Sequence, residues 1–207
     1  MKSIHMMKRF VRCLLWAIRL RSARWAVLLA RYDIPLETAH LNPDGALVFC
    51  SDGAIIPRSI DASHVLGQYH KLRDILAAGG VLEMDGRRLE VEGVPFNIET
   101  SQTIQIIHEV FIERVYGLNV RGPSVLIDVG MNVGIASLFF SKMGILVYGF
   151  EPFARTFQSA QQNLAMNPTL AERVIIANVG LGKRDCSASA RYDPSAPGNC
   201  RVVSTTV

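Results

Sequence analysis

The sequence predicts an α/β protein whose carboxyl-terminal part is the first half of a Rossmann-like sheet, preceded by a small α+β region. Two observations support this. Short apolar runs alternate with helical segments in the order β-α-β-α-β from residue 124, with a glycine turn after the first run. Residues 34–102 show hairpin and turn signals instead. We therefore predict three parts: a basic amphipathic segment 1–33, an α+β region 34–102 and a partial Rossmann-like domain 103–207.

The amino-terminal segment holds the excess of positive charge. Residues 1–31 contain eight of the chain's 22 Lys and Arg residues and no acid, so the remainder carries 14 basic against 18 acidic side chains. On charge grounds we expect this remainder to bind no nucleic acid. No uncharged run in this segment is longer than residues 13–18, and a run of that length is too short to span a bilayer. Three hypotheses stay open for residues 1–31: a helix packed on its own domain, peripheral membrane contact, and organelle targeting.

Turn and helix signals define the middle of the chain. Residues 43–58 predict two short strands around the turn at 51–53, and a helix is expected over 62–78. The pair Asp85-Gly86 predicts a hairpin within "VLEMDGRRLEVEG". The segment "SQTIQIIHEVFIERVYG" has apolar residues at helical spacing and predicts an amphipathic helix closed by Gly117.

Cysteine and histidine usage predicts no metal site. The four cysteines (Cys13, Cys50, Cys186 and Cys200) form no C-x-x-C pair, and the five histidines are dispersed. This pattern argues against a zinc site and a disulfide framework, and it favours a reducing, cytoplasmic compartment. Membrane association through the basic segment stays open. The sequence does not predict an oligomeric state.

The second half contains three predicted parallel strands, "SVLID", "ILVYGF" and "RVIIANVG", separated by helices over about 135–143 and 153–167. The first strand is expected to be central and apolar on both faces. After Lys183 the chain becomes polar, with one last strand expected from Arg201. Because only the first half of a doubly wound sheet is recognisable, we expect a chain truncated near Val207.

The glycine turn separates the candidate nucleotides. A dinucleotide fingerprint, G-x-G-x-x-G, fails from Gly130 because Asn132 and Ile135 occupy the second and third glycine positions. A P-loop is excluded because no Gly-Lys-Ser/Thr follows. This makes an NAD-dependent oxidoreductase the least favoured hypothesis.

The pattern D-x-G-x-x-x-G, formed by Asp128, Gly130 and Gly134, resembles the first motif of S-adenosylmethionine (SAM)-dependent methyltransferases. An acid near the turn suits a ligand that carries a sulfonium and an amino group. Glu151 lies 23 residues after Asp128 (151 − 128), at the end of the second strand, where a carboxylate can accept both ribose hydroxyls. The alternatives are glycines serving a tight turn alone, and Glu151 as an acid favoured by a helix N-terminus.

The motifs "DVGMNVGIAS", "GFEPFARTF", "NLAMN" and "NVGLGKRD" together resemble the FkbM-type methyltransferases over about residues 103–185. The resemblance implies a class I methyltransferase sheet and methyl transfer from SAM to an oxygen of a small-molecule or glycan-like acceptor. Met131 departs from the small residue usual at its position. No residue stands out as the general base. The implied cofactor contacts are Asp128, Gly130, Asn132, Gly134 and Glu151, with Asn178 or its neighbours near the adenine.

A second hypothesis is a non-catalytic or truncated SAM-binding remnant that acts as an interaction or peripheral membrane protein.

Overall fold

A computed structural model of the chain describes residues 2–50, 53–58, 62–83, 86–118, 124–183, 186–191 and 201–206. The chain divides into two compact units: residues 1–92 with 98–108, and residues 93–97 with 109–207. The three-part division expected from the sequence stays a prediction.

The first unit combines helices with small antiparallel sheets. Its helices are α1 (Lys2–Leu20), α2 (Ala23–Arg31), α3 (Ser63–Leu66), α4 (Tyr69–Ala77) and α5 (Ser101–Ile107). Its strands are β1 (Ala39–Leu41), β2 (Leu47–Phe49), β3 (Ile55–Ile56), β4 (Val81–Leu82) and β5 (Arg88–Val91). The pairing of β2 with β3 and of β4 with β5 confirms the two predicted hairpins. Ser51, Asp52 and Asp85 of their turns lie outside the described residues.

Two predicted helices differ from the structure. The helix expected over 62–78 is split into α3 and α4, and Gly67 lies in the break, where glycine's poor helix propensity favours an interruption. The helix expected up to Gly117 ends earlier. A π-helical turn over His108–Ile112 follows α5, and Arg114 then takes a left-handed φ of 53°. The Val115 amide donates to the Glu109 carbonyl (3.2 Å), which closes the helix before Gly117.

In the amino-terminal segment, α1 contacts α2. The Ser22 side chain caps α2 by accepting from the Trp25 amide (3.5 Å). The Trp25 indole is fully buried and donates to the Gly45 carbonyl (2.9 Å). This contact ties α2 to the β1–β2 hairpin. Among the described residues, no helix combines the length and the apolar character needed to cross a membrane.

The second unit contains the predicted half of a Rossmann-like sheet. Its strands are β6 (Val94–Asn97), β7 (Val125–Val129), β8 (Leu146–Phe150), β9 (Val174–Ala177), β10 (Ser187–Arg191) and β11 (Arg201–Thr206). Its helices are α6 (Ile135–Lys142), α7 (Ala154–Ala165) and α8 (Pro168–Ala171). Strands β7, β8 and β9 are parallel and adjacent in that order, which confirms the β-α-β-α-β prediction. The strand expected from Arg201 is β11, which pairs with the unpredicted β10.

One face of this sheet is buried and the other is exposed. Val147 and Gly149 are buried, whereas Val125, Ile127 and Val129 on the opposite face are 63–64% exposed. Helices α6 and α7 make successive crossovers in the same direction, and right-handed crossovers place both on one face. The expectation that the first strand is central is wrong for the described residues, among which β7 lies at the edge of the β7–β8–β9 sheet. Its outward face is apolar as expected, but no part of the described ranges covers it.

Candidate cofactor site

The turn between β7 and α6 depends on three left-handed residues. Gly130, Asn132 and Gly134 have φ values of 75°, 54° and 81°. A β-carbon on Gly134 would lie 3.5 Å from the Ala160 β-carbon, which is an ordinary contact distance, so the left-handed φ and not a lack of space favours glycine here. A β-carbon on Gly130 would meet no atom within 4 Å. The backbone at Gly130 therefore faces open space, which fits a surface that a ligand approaches closely.

Glu151 connects the turn to the end of β8. Its carboxylate accepts two hydrogen bonds from backbone amides, one from Asn132 through Oε2 and one from Phe153 through Oε1, both at 3.0 Å. Its side chain is 5% exposed. The contact with Phe153, at the start of α7, is the helix-terminal role considered from the sequence. The contact with Asn132 is a second role, because it holds the glycine turn against β8.

Asp128 lies at the carboxyl end of β7 and accepts from the Ser137 hydroxyl of α6 (2.7 Å). Burial raises the pKa of the Asp128 carboxyl above its ordinary value of 3.8, and the Ser137 hydrogen bond partly opposes this. The pKa of Tyr116 is also raised, first by burial and then by the charges of Asp128 and Glu109. Tyr116 is thus kept protonated in the electrostatic field of Asp128.

The six predicted site residues lie at or just after the carboxyl ends of β7, β8 and β9, where ligands bind in sheets of this class. Asn178 follows β9, and its side-chain amide donates to the backbone carbonyl of Glu151 (2.7 Å). The structure therefore brings Asn132 and Asn178 each into contact with Glu151. The Asp128 carboxylate accepts instead from Ser137 of α6. The roles of all six in cofactor binding stay predictions.

Two residues that the sequence analysis did not assign also build the site. Asn163 of α7 is 1% exposed. Its side-chain nitrogen donates to the backbone carbonyl of Val133 (2.8 Å), and its side-chain oxygen accepts from the backbone amide of Asn97 (2.9 Å). Asn163 thus links α7 to the glycine turn at Val133. Ser137 is the other, and its hydroxyl favours the charged form of Asp128 by donating a hydrogen bond to it. The signals were present in "NLAMN" and "GIAS", but a single polar residue in a helix does not identify its partner.

Met131, the departure from the family pattern, is 3% exposed. Its sulfur would lie 2.5 Å from a β-carbon on Gly149 of β8. The Met131 side chain therefore packs onto the buried face of the sheet. The longer side chain is accommodated because β8 has a glycine beneath it.

A separate cleft of about 670 Å³ opens in the first unit, between residues that include Arg19, His40, Asn42 and Cys50. No residue of the glycine turn lines it. Within the described ranges, no cluster of His, Cys, Asp and Glu could hold a metal ion. Cys13, Cys50 and Cys186 are free thiols, and Cys200 lies outside those ranges.

Comparison with known proteins gives one relative by sequence. The chain is 29% identical over 100 residues to Methyltransferase 1 of Beauveria bassiana (strain ARSEF 2860). The match covers 46% of this chain and 39% of the relative, so the chain spans about two fifths of the relative's length. The sequence is therefore similar to part of a methyltransferase. No protein-family model matches the chain.

Among solved structures, the chain is similar to the N-terminal domain of human METTL16, at 13% identity and a TM-score of 0.30. The alignment covers 77% of this chain and 55% of the METTL16 chain. The alignment with the METTL16 MTase domain (crystal form 2) covers 75% of this chain and 54% of the METTL16 chain, at 16% identity and a TM-score of 0.33. Both TM-scores are below 0.5, so these likenesses support no conclusion about this chain.

Proposed function

We propose that the second unit binds SAM on the turn between β7 and α6, and that the chain belongs to an FkbM-type SAM-dependent O-methyltransferase. The acceptor in this proposal is a small molecule or a glycan-like molecule. The main supporting observation is the pair of carboxylates, Asp128 and Glu151, at the ends of neighbouring parallel strands beside the open backbone of Gly130. The sequence similarity to a methyltransferase is a second support.

The chemistry of these groups fits SAM better than a dinucleotide. Each oxygen of Glu151 accepts one backbone amide, and each has a further lone pair that can accept a ribose hydroxyl. Asp128 is partly buried with a raised pKa, so a cationic ligand beside it would favour its charged form. SAM has such a cation, whereas the pyrophosphate of NAD would be repelled by a carboxylate. In the proposal, Asn178 or its neighbours contact the adenine.

Bound SAM would supply a methyl group on a sulfonium, so the leaving group comes with the cofactor. The residues of this chain would act by holding the cofactor and excluding competing orientations, which is the positioning contribution to catalysis. Glu151 also holds the turn in place by accepting from the backbone amide of Asn132. Tyr116 is kept protonated and is unsuited to act as a base near neutral pH. We therefore assign no general base.

The proposal is tested by thermal melts of the chain with S-adenosylhomocysteine and with NADH. A ligand at about 100 times its Kd stabilises the folded state by about 2.7 kcal/mol, which raises the midpoint by several degrees. We expect a shift with S-adenosylhomocysteine and none with NADH. An unmoved cooperative melt would contradict a working cofactor site, and a shift with NADH alone would favour the dinucleotide hypothesis.

Glu151→Gln makes the test specific to the site. The amide keeps one acceptor oxygen but turns an NH₂ group towards one of the two backbone amides, so we expect a lower midpoint and loss of the S-adenosylhomocysteine shift. Glu172→Gln, at an exposed position in the same unit, is the matched control and should keep the shift. The measured quantity is the difference in melting midpoint with and without S-adenosylhomocysteine for each variant. A lower midpoint of the variant alone therefore does not affect the comparison.

A binding role without catalysis is the second candidate. The exposed face of β7 favours it, because parallel sheets of this class normally have both faces covered. Binding of S-adenosylhomocysteine without any transfer from labelled SAM to added acceptors would support this candidate. Transfer to an oxygen-containing acceptor would support the enzyme.

A further inference from the structure

Helix α1 in the first unit has an apolar stripe that faces solvent. Val11, Leu14, Leu15 and Ile18 follow one another at spacings of three, one and three residues, which places them on a single face of a helix. All four side chains are exposed by half or more, and Ile18 by 69%. Trp16 and Ala17 are less exposed. Packing of α1 against α2 therefore leaves this stripe uncovered.

Positive charge lies beside the stripe. Residues 1–31 contain eight Lys and Arg residues and no acid. Arg19 is exposed and directly follows Ile18. Position 8, a lysine, precedes position 19 by eleven residues, or about three helical turns, so both positions lie along the same side of the stripe. Arg12 is engaged within the unit, since it pairs with Asp33 and lies over the Trp16 ring.

We propose that α1 binds the surface of a lipid bilayer that contains anionic lipids. The helix lies parallel to the membrane, with Leu14, Leu15 and Ile18 in the interfacial region and Arg19 and neighbouring cations at the lipid phosphates. No described helix is long and apolar enough to cross a membrane, so a parallel orientation is the one that α1 can adopt. This proposal is independent of SAM binding, which concerns the second unit.

Charge complementarity selects this occupant over two others. A second copy of the chain would bring two acid-free, cationic segments together, and their like charges would oppose pairing. A nucleic acid would bind the cations through its phosphates but would leave four aliphatic side chains in water. An anionic bilayer offers phosphates at its surface and apolar chains immediately beneath them. It satisfies both halves of the helix surface at once.

The test is flotation of the full chain with vesicles on a density gradient, in which bound protein rises with the lipid and aggregated protein sinks. The probes are vesicles of phosphatidylcholine alone and of phosphatidylcholine mixed with phosphatidylserine. We expect flotation with the mixed vesicles, weakened by salt because lipid phosphates and exposed cations are screened. Arg19→Gln should weaken binding about fivefold, as expected for one cation near an anionic surface.

Ile18→Ser removes part of the stripe without changing charge and should abolish or strongly reduce flotation. Its matched control is Val81→Ser, a similar change at an exposed apolar position of β4 in the same unit, which should float like the unaltered chain. Circular dichroism of each variant checks that the helices are retained. Arg173→Gln, at an exposed position of the second unit, is the charge control and should also float normally.

Four results would overturn the proposal: no flotation with mixed vesicles; equal flotation with neutral vesicles; flotation that Ile18→Ser leaves intact; or flotation that Val81→Ser reduces equally. Self-association that Ile18→Ser removes, without vesicle binding, would overturn it in favour of a second copy. Binding to RNA that Arg19→Gln weakens and Ile18→Ser does not, without vesicle binding, would overturn it in favour of a nucleic acid.

Discussion

The side chain of Met131 occupies the space that a β-carbon on Gly149 would need, with its sulfur 2.5 Å from that position. The two residues belong to different elements: Met131 lies in the glycine turn, and Gly149 lies in β8. The long side chain of Met131 in the turn therefore fits because Gly149 in the strand has no side chain. This relationship can be measured as a coupling between two substitutions.

We predict that Gly149→Ala destabilises the protein by about 1 kcal/mol through overpacking, because the sulfur of the buried Met131 must shift to admit the new methyl group. In a Met131→Ala background the same substitution should cost much less, since the methyl group fills part of the cavity left behind. Urea denaturation of the two single variants and the double variant measures the coupling free energy. Additive effects would show that the two side chains do not compete for this space.

The backbone of Asn132 gives a second prediction. Its φ of 54° lies in the left-handed region, which glycine adopts without strain and other residues adopt at a cost. Asn132→Gly should therefore change the free energy of unfolding little, whereas Asn132→Ala should cost about 1 kcal/mol because alanine is strained there. Chemical denaturation compares the two. Equal costs would mean that the asparagine side chain, and not its backbone conformation, stabilises the turn.

The strand and helix order of the second unit could be predicted because each element has its own local signal. The apolar runs gave β7, β8 and β9, and the positive φ of Gly130 and Gly134 agrees with the glycine pattern. The contacts of Asn163 with Val133 and Asn97 could not be predicted, because they join residues 30 and 66 positions apart. The exposed face of β7 was also missed. An apolar run such as "SVLID" predicts a strand, but it does not tell whether another layer of the protein covers each face of that strand.

The pKa of Asp128 predicts how stability depends on pH. Burial raises this pKa in the folded state, so the folded protein holds the proton more tightly than the unfolded chain does. As the pH rises from the ordinary value of 3.8 through the raised folded value, the proton is lost and the charged carboxylate destabilises the fold. Asp128 therefore contributes a loss of stability that is fully present at pH values above its folded-state pKa.

Asp128→Asn should remove this loss while still accepting the Ser137 hydrogen bond through its amide oxygen. We expect a melting midpoint at neutral pH that equals or exceeds that of the unaltered chain, with the difference disappearing in acid. The S-adenosylhomocysteine shift should decrease. Ser137→Ala should do the opposite and lower the neutral-pH midpoint, because the charged carboxylate loses a donor. A midpoint that Asp128→Asn lowers at neutral pH would show that the charge is stabilising.

The two faces of the β7–β8–β9 sheet predict unequal responses to one substitution. Val125 is 64% exposed and Val147 is fully buried, in adjacent paired strands. Val147→Thr should cost about 1–3 kcal/mol, because it buries a hydroxyl in the core. Val125→Thr should change stability by no more than about 0.5 kcal/mol, since water reaches that face, and should reduce binding of a hydrophobic dye. Urea denaturation with dye fluorescence compares the pair. A similar cost at both positions would show that the face carrying Val125 is covered in solution.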